Sequence, residues 1–433
     1  MTPQASFLYA AEIGAGEQDA VRALLLGMNA GPGVANGTNG LIPFDRFPRL
    51  HTARVLVVTD LAAADRAVYK LPVAGLPDYL VLMGEVDGSE EEFRAELLAK
   101  AGDGLRRLFS HCAGFAADTD LARWMAGARV RSAADYVNWA GRTVQQASEE
   151  EALRRALESY VDGNLDALRR MEPRALHLSL QRYVRERQAR GELGLTPEAA
   201  TPWLWQLRNV ADLIAVPLVL LLALPLLILL LPVYVVSLRG WERRDVGVAP
   251  PVALAHAEEL EAIENQQCTN QFSVFGSLKP GRLRLWSMLF FLWVTGYTAR
   301  HVFNKGGLAR VSTIHFARWV PFDGGQRMLF SSVYDGSLES YMDDFINKVG
   351  FGLNITFSNG IGYPRTRWLV RDGCRDEQVF KRVLRRHQLA TEVWYDALPG
   401  LTAANLHRNS LLRSGLERTT MTDAEVRTWI ALL

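Results

Sequence analysis

The sequence predicts an α+β protein built from two copies of one βαββαβ unit, with helical and membrane-seeking segments around them. Three observations predict it: a stretch that recurs at a fixed offset, strand-like and helix-like periods in the same order around both copies, and a 26-residue uncharged run between them.

The recurrence begins at Asp87-Gly88-Ser89, which returns 248 residues on as Asp335-Gly336-Ser337. The same offset pairs Glu91 with Glu339, Lys100 with Lys348, Gly102 with Gly350, Gly104-Leu105 with Gly352-Leu353, Phe109-Ser110 with Phe357-Ser358 and Gly114 with Gly362. Over positions 87–115, 11 of 29 residues are identical, where ordinary composition gives about two. Upstream, His51, Ala53 and Arg54 match His315, Ala317 and Arg318 at an offset of 264, and Ile13 to Gly16 matches Leu278 to Gly281 at 265. Extra residues in the first copy, 61–77, absorb the drift. They are rich in Ala and carry Pro72 and Pro77, the composition of a surface loop.

Each copy reads in one order. An apolar strand (6–13; 271–278) leads to a helix (18–29; 283–303), then to a β-rich run through the His-x-Ala-Arg motif (51–59; 313–322) and a second strand (79–86; 326–334). The Asp-Gly turn and Ser cap then open a helix (90–101; 338–349), and a last apolar segment carries Phe109 or Phe357. The first copy is expected over 1–117 and the second over 266–374. Residues 118–209 read as a helical insertion, with acids leading and bases trailing in the stretch from Glu149. Residues 375–433 read as a helical extension whose last helix opens on a capping box, Thr422 to Glu425.

The uncharged run, 213–238, exceeds the roughly 20 apolar residues that cross a bilayer as a helix. Trp203 and Trp205 precede it, and Tyr234, Trp241, Arg239, Arg243 and Arg244 lie at its far end, as at a membrane interface. Arg185, Arg187, Arg190 and Arg208 sit upstream, so basic residues flank both ends and do not choose an orientation. Two halves that share an interface must lie on one side of a bilayer. The segment, 210–244, is therefore expected as a re-entrant or monotopic hairpin bent near Pro225, with both soluble halves on one side, the cytoplasmic one.

The 48 basic and 47 acidic residues nearly cancel, which argues against nucleic acid as a partner. Cys112, Cys268 and Cys374 form no C-x-x-C pair, so neither a thiolate zinc site nor a disulfide framework is expected. Met1 to Ser6 does not open a secretory signal pattern. No nucleophile elbow, metal-spaced His pair or P-loop is found in the sequence.

The βαββαβ order is that of the ferredoxin-like split βαβ. Two such units in one chain resemble the dimeric α+β barrel superfamily, whose paired sheets enclose a cavity; fused pairs of this kind include the dye-decolourising peroxidases and the chlorite dismutases, both haem proteins. Gly84-Glu85-Val86-Asp87-Gly88 is similar to the G-x-x-D-G motif of the dye-decolourising peroxidases, while the second copy has Ser332 in place of the first glycine. The resemblance implies a haem, with Asp87 or Asp335 moving protons, Arg54 or Arg318 as the stabilising cation, and an axial histidine in the second half. Of His301, His315, His387 and His407 there, His315 and His301 rank first, with His315 the candidate iron ligand. It further implies a membrane-attached oxidoreductase acting on a lipophilic small molecule. The alternative is a non-catalytic module that binds lipid or tethers a partner at the membrane; membrane lipid is a partner in either case, and association with further copies of the chain stays open.

The same residues also carry plainer readings. Asp-Gly-Ser is a turn followed by an N-cap. His315 and Arg318, three apart on a strand, face opposite sides unless a bulge intervenes, and one of them would then pair with a carboxylate such as Asp343 or Asp344. Trp286, Phe290, Phe291 and Trp293 give the first helix of the second copy an apolar excess suited to lipid, a lipophilic cavity or core.

Overall fold

A computed structural model describes residues 1–308 and 310–433. Alternating buried residues build two sheets, one from each half of the chain, and the α+β class holds. In the first half, β1 (Gln4–Glu12), α1 (Gln18–Leu26), β2 (Leu50–Val58), β3 (Tyr79–Asp87) and α2 (Glu90–Phe109) follow in order, and the last strand is β4 (Ala134–Val137). Helices α3 (Val144–Gly163) and α4 (Pro173–Ala189) then lead to α5 (Trp203–Arg244). The second half repeats the order as β5 (Thr269–Ser277), α6 (Arg282–His301), β6 (Ile314–Phe322), β7 (Arg327–Asp335) and α7 (Leu338–Phe357). A small hairpin, β8 (Thr366–Arg367) and β9 (Arg371–Asp372), then α8 (Glu377–His387), β10 (Val393–Asp396), α9 (Ala403–Glu417) and α10 (Asp423–Ile430) complete it.

The last strand of each half crosses to the sheet of the other. One sheet runs β1-β3-β2-β10, continued by two short strands, Asn29–Gly31 and Val34–Ala35; the other runs β4-β6-β7-β5. The registers match: Trp394 of β10 lies opposite Arg54, as Asp135 of β4 lies opposite Arg318. These strands fall inside regions expected to be helical, because four-residue strands leave too short an alternation to stand out. The expected last segments at Phe109 and Phe357 are instead the ends of α2 and α7. Both helices leave helical geometry for one residue, at Ala101 and Val349, and then continue.

Alternation sorts the first sheet into two faces. Phe7, Tyr9, Val55, Val57 and Leu82 pack under α1 and α2 with Val21, Leu25, Phe93 and Leu97. On the other face Leu8, Leu56, Val58, Val81 and Met83 meet Phe275, Val320, Phe322 and Leu329 of the second sheet. The space between the sheets at that end is therefore filled core. The insertion at 61–77 is also more than a surface loop: Arg66 donates to Ser277 Oγ at 2.8 Å and Asp65 pairs with Arg386, tying the halves together.

Helix α5 is one continuous helix of 42 residues with Pro217, Pro225 and Pro232 inside it, so the expected hairpin at Pro225 does not form. The neighbouring turns keep their helical bonds where proline removes a donor. The helix is long and apolar enough to cross a membrane.

Candidate functional site

Each half turns its histidine out of the regular ladder. Register shifts interrupt β2 between Leu50 and Thr52 and β6 between Ile314 and Phe316, leaving His51 and His315 on bulges. His51 Nε2 lies 2.9 Å from Asp87 Oδ1, and His315 Nε2 lies 2.7 Å from Asp335 Oδ1. The second oxygen of each aspartate accepts a backbone N–H at a helix start: Val144 donates to Asp87 Oδ2 at 2.9 Å, and Ala403 donates to Asp335 Oδ2 at 2.8 Å. Those helices, α3 and α9, are capped by Thr143 and Thr402. A carboxylate beside a helix N-terminus meets unpaired donors and the positive end of the dipole, so each aspartate anchors a helix start.

The adjoining residues Gly88-Ser89 and Gly336-Ser337 do make the turn and cap: Gly88 and Gly336 have φ of 87° and 82°, Ser89 accepts from Glu92 N–H and Ser337 from Ser340 N–H.

His51 and His315 line one cavity of about 60 Å³ with Gln4, Thr269 and Asp396. Asp396 Oδ1 accepts the Leu398 N–H at 3.0 Å, while Oδ2 is buried without a partner. Burial raises the Asp396 carboxyl above its ordinary range against the pull of the Leu398 N–H and both imidazoles. Burial opposes charge on His315, but its hydrogen bond to Asp335 and the charges of Asp335 and Asp396 outweigh that and raise its pKa. No sequence pattern marks Asp396, Val144 or Ala403 as members of the site. The cap patterns Thr143-x-x-Gln146 and Thr402-x-x-Asn405 were the available signal for the helix starts.

The arginines lie deeper between the sheets and reach across. Arg54 donates to Phe272 O at 3.0 Å, Ser273 Oγ at 2.9 Å and Ser332 O. Arg318 donates to Phe7 O and Gly84 O, both at 2.8 Å, and pairs with Glu85. Burial brings the Arg54 guanidinium down to about 10. Neither His315 nor Arg318 pairs with Asp343 or Asp344, which pair instead with Lys381 and Lys348; His315 meets Asp335 and Arg318 meets Glu85. Both arginines are clamps between sheets, and neither lines the cavity.

The remaining histidines are dispersed. His301 ends α6 with its ring 4.7 Å from Tyr297, His387 Nδ1 lies 3.3 Å from Phe275 O, and His407 packs 4.8 Å from Trp139. Only His407 joins His51 and His315 at the cavity.

A haem needs an imidazole nitrogen free for iron and a pocket on the order of several hundred Å³. The His315 Nε2 is engaged by Asp335, His301 is outside the cavity, and the cavity holds about 60 Å³. The residues as arranged do not fit the group. What they can do is hold and exchange protons among two imidazoles and three carboxylates in a space of about one or two waters. Among the described residues no cluster of three or more His, Cys, Asp or Glu is arranged to hold a metal ion.

The apolar helix is held at both ends by the folded body. At its start Asp212 pairs with Arg300 at 3.0 Å and Leu213 O accepts from Tyr297 Oη at 3.1 Å. At its end Asp245 is clamped by Lys279 and Arg284, each at 2.9 Å, and Glu242 Oε1 accepts from Leu369 N–H at 2.8 Å. Compared with protein-family models, curated proteins and solved structures, the chain matches none.

Proposed function

We propose that the chain is a membrane-attached module: two ferredoxin-like repeats, paired face to face with their last strands exchanged, held against a bilayer as a lipid-contacting tether. The carrying observation is α5. Trp205, Asn209, Asp212, Val216, Leu220 and Ala223 form a partly covered stripe at helical spacing, after which every residue from 224 to 233 is exposed, before the helix settles back at Tyr234. Ten successive apolar residues bare on all sides are costly in water and at ease in hydrocarbon. The repeat relation is supported by the reciprocal arginines, the duplicated His-Asp-helix chains and the exchanged strands, which all recur at nearly constant offsets. Since both ends of α5 are fastened to the same body, the two repeats share one side of the bilayer. Three free cysteines suit the cytoplasmic side.

The oxidoreductase reading has weaker support, because its candidate residues act as clamps and helix anchors. The test is flotation. The chain should rise with liposomes and resist alkaline extraction, whereas replacing Leu222, Leu226, Leu229 and Leu230 with Ser should leave it in the soluble fraction. Native chain that stays soluble and monodisperse without lipid or detergent would refute the reading.

A further inference from the structure

On the reading of a membrane-attached chain, the second repeat bears a feature the first lacks. Helix α1 has nine residues, and its equivalent α6 has 20. The extra length carries two faces. Met288, Leu292 and Ala299 are buried on the body side, whereas Leu283, Trp286, Phe290 and Trp293 are exposed at spacings of three and four, with Trp286 58% exposed. Tyr297, on that same outward face by helical spacing, bonds the backbone of α5 at Leu213, so the stripe and the apolar helix share one side of the molecule. Between its contacts at Asp212 and Trp241, α5 runs for about 44 Å, while α6 covers about 24 Å between Arg300 and Arg284. The bare stretch 224–233 falls within that span, exposed on every side.

A third element adjoins them. The turn between β8 and β9 exposes Trp368 and Val370, and Glu242 of α5 accepts from both Thr366 Oγ1 and Leu369 N–H in that hairpin. Arginines cluster at the end of the patch where the hairpin, the end of α5 and the start of α6 lie. Arg239 lies 4.8 Å over Trp368, Arg282 lies 5.3 Å over Trp286, and Arg243, Arg244, Arg367 and Arg371 are exposed beside them. Tryptophan with arginine at the rim of an apolar surface is the composition that seats at a bilayer interface.

We propose that the bare stretch of α5, the outward stripe of α6 and the β8–β9 turn form one monotopic footprint in a single leaflet, with its rim of arginines on anionic lipid headgroups. Continuity with the lipid-exposed helix and the charge of the rim both favour a bilayer over a second copy of the chain or a soluble protein.

The test uses the full chain with Cys268→Ser, an environment-sensitive fluorophore on single added cysteines, and vesicles of phosphatidylcholine and phosphatidylglycerol containing nitroxide-labelled acyl chains. Leu229→Cys reports the bare stretch of α5, Trp286→Cys and Leu283→Cys the stripe, Val370→Cys the turn, and Leu26→Cys on α1 is the outlying control. The expected result is quenching of about half or more of the emission at the first four positions and almost none at Leu26. Exchanging Arg239, Arg243 and Arg282 for Gln should lower quenching at Trp286 and Val370 and weaken its dependence on phosphatidylglycerol, since each arginine near an anionic surface contributes about fivefold to attachment. Quenching at Leu229 with none at Leu283, Trp286 and Val370 would overturn the footprint and leave membrane attachment standing. Cross-linking of copies through Trp286→Cys, with no quenching there, would assign the stripe to a second copy and overturn it as well. Absence of quenching everywhere, in a chain that does not float, would remove the attachment reading itself.

Discussion

The two halves place equivalent residues at equivalent positions and then use them differently. Arg54 and Arg318 both cross to the opposite sheet, but Glu85 stands in the first half where the second has Val333, so only Arg318 gains an ion pair. Arg54 makes do with carbonyls, Ser273 Oγ and the face of Trp394 at 5.2 Å. At the cavity, Asp396 adds a carboxylate on β10 where β4 has Val137. At the surface, α1 is short and α6 is long with an apolar outer face. The two halves thus share their arginine clamps and differ in the charge balance of their interface and in the apolar outer face of α6.

The largest expected difference concerns the arginines. Arg318→Met leaves Glu85 buried without its partner and should cost about 3–5 kcal/mol of stability. Arg54→Met removes hydrogen bonds to uncharged acceptors and leaves no carboxylate unpaired, and should cost about 1–3 kcal/mol. Thermal unfolding of both variants in detergent checks the order; equal losses would mean that Glu85 serves both arginines alike.

A second contrast lies in two glycines 248 residues apart. A Cβ at Gly104 would fall 1.9 Å from Leu41 O, whereas a Cβ at Gly352 meets nothing within 4 Å. Gly104→Ala should therefore cost about 1–3 kcal/mol by overpacking. Gly352→Ala should add up to about 1 kcal/mol by helix propensity. The same unfolding experiment reads both signs, and a loss at Gly352 would show a neighbour pressing on α7.

Those glycines also mark how far the sequence could be read. The recurrence located Asp87 and Asp335 and bounded the strands that precede them to within about two residues. The helices were expected to stop at Ala101 and Val349, where they only kink, because the glycines that follow are poor helix formers in isolation. The bulges at His51 and His315, the exchange of β4 and β10, and the anchoring of Asp87 to a helix 57 residues away depend on tertiary pairing, which local periodicity does not carry. The unbroken course of α5 was hidden for a related reason: its prolines disfavour a straight helix, yet the contacts at its two ends lie on the body and carry no signature within the segment itself.

The smallest expected effect is a dependence on pH. His315 titrates higher in the folded chain than its ordinary value of about 6.5, so its protonated pair with Asp335 contributes stability that is fully present below that value and is lost as pH rises through the folded pKa. His315→Gln should remove that decline above about pH 6.5. The raised carboxyl of Asp396 contributes a second loss of stability, which begins near the ordinary carboxylate value of about 3.9 and proceeds as pH rises.

The central claim, that an apolar helix enters a bilayer while both its ends stay on one folded body, is tested most directly by the sidedness of those ends. In sealed vesicles, with Cys268→Ser as the background, Arg208→Cys and Arg243→Cys should both react with a membrane-impermeant maleimide added to one side, and neither should react when the reagent is confined to the other. Labelling of the two positions from opposite sides would show that α5 crosses the bilayer, which would separate the paired sheets and contradict the account.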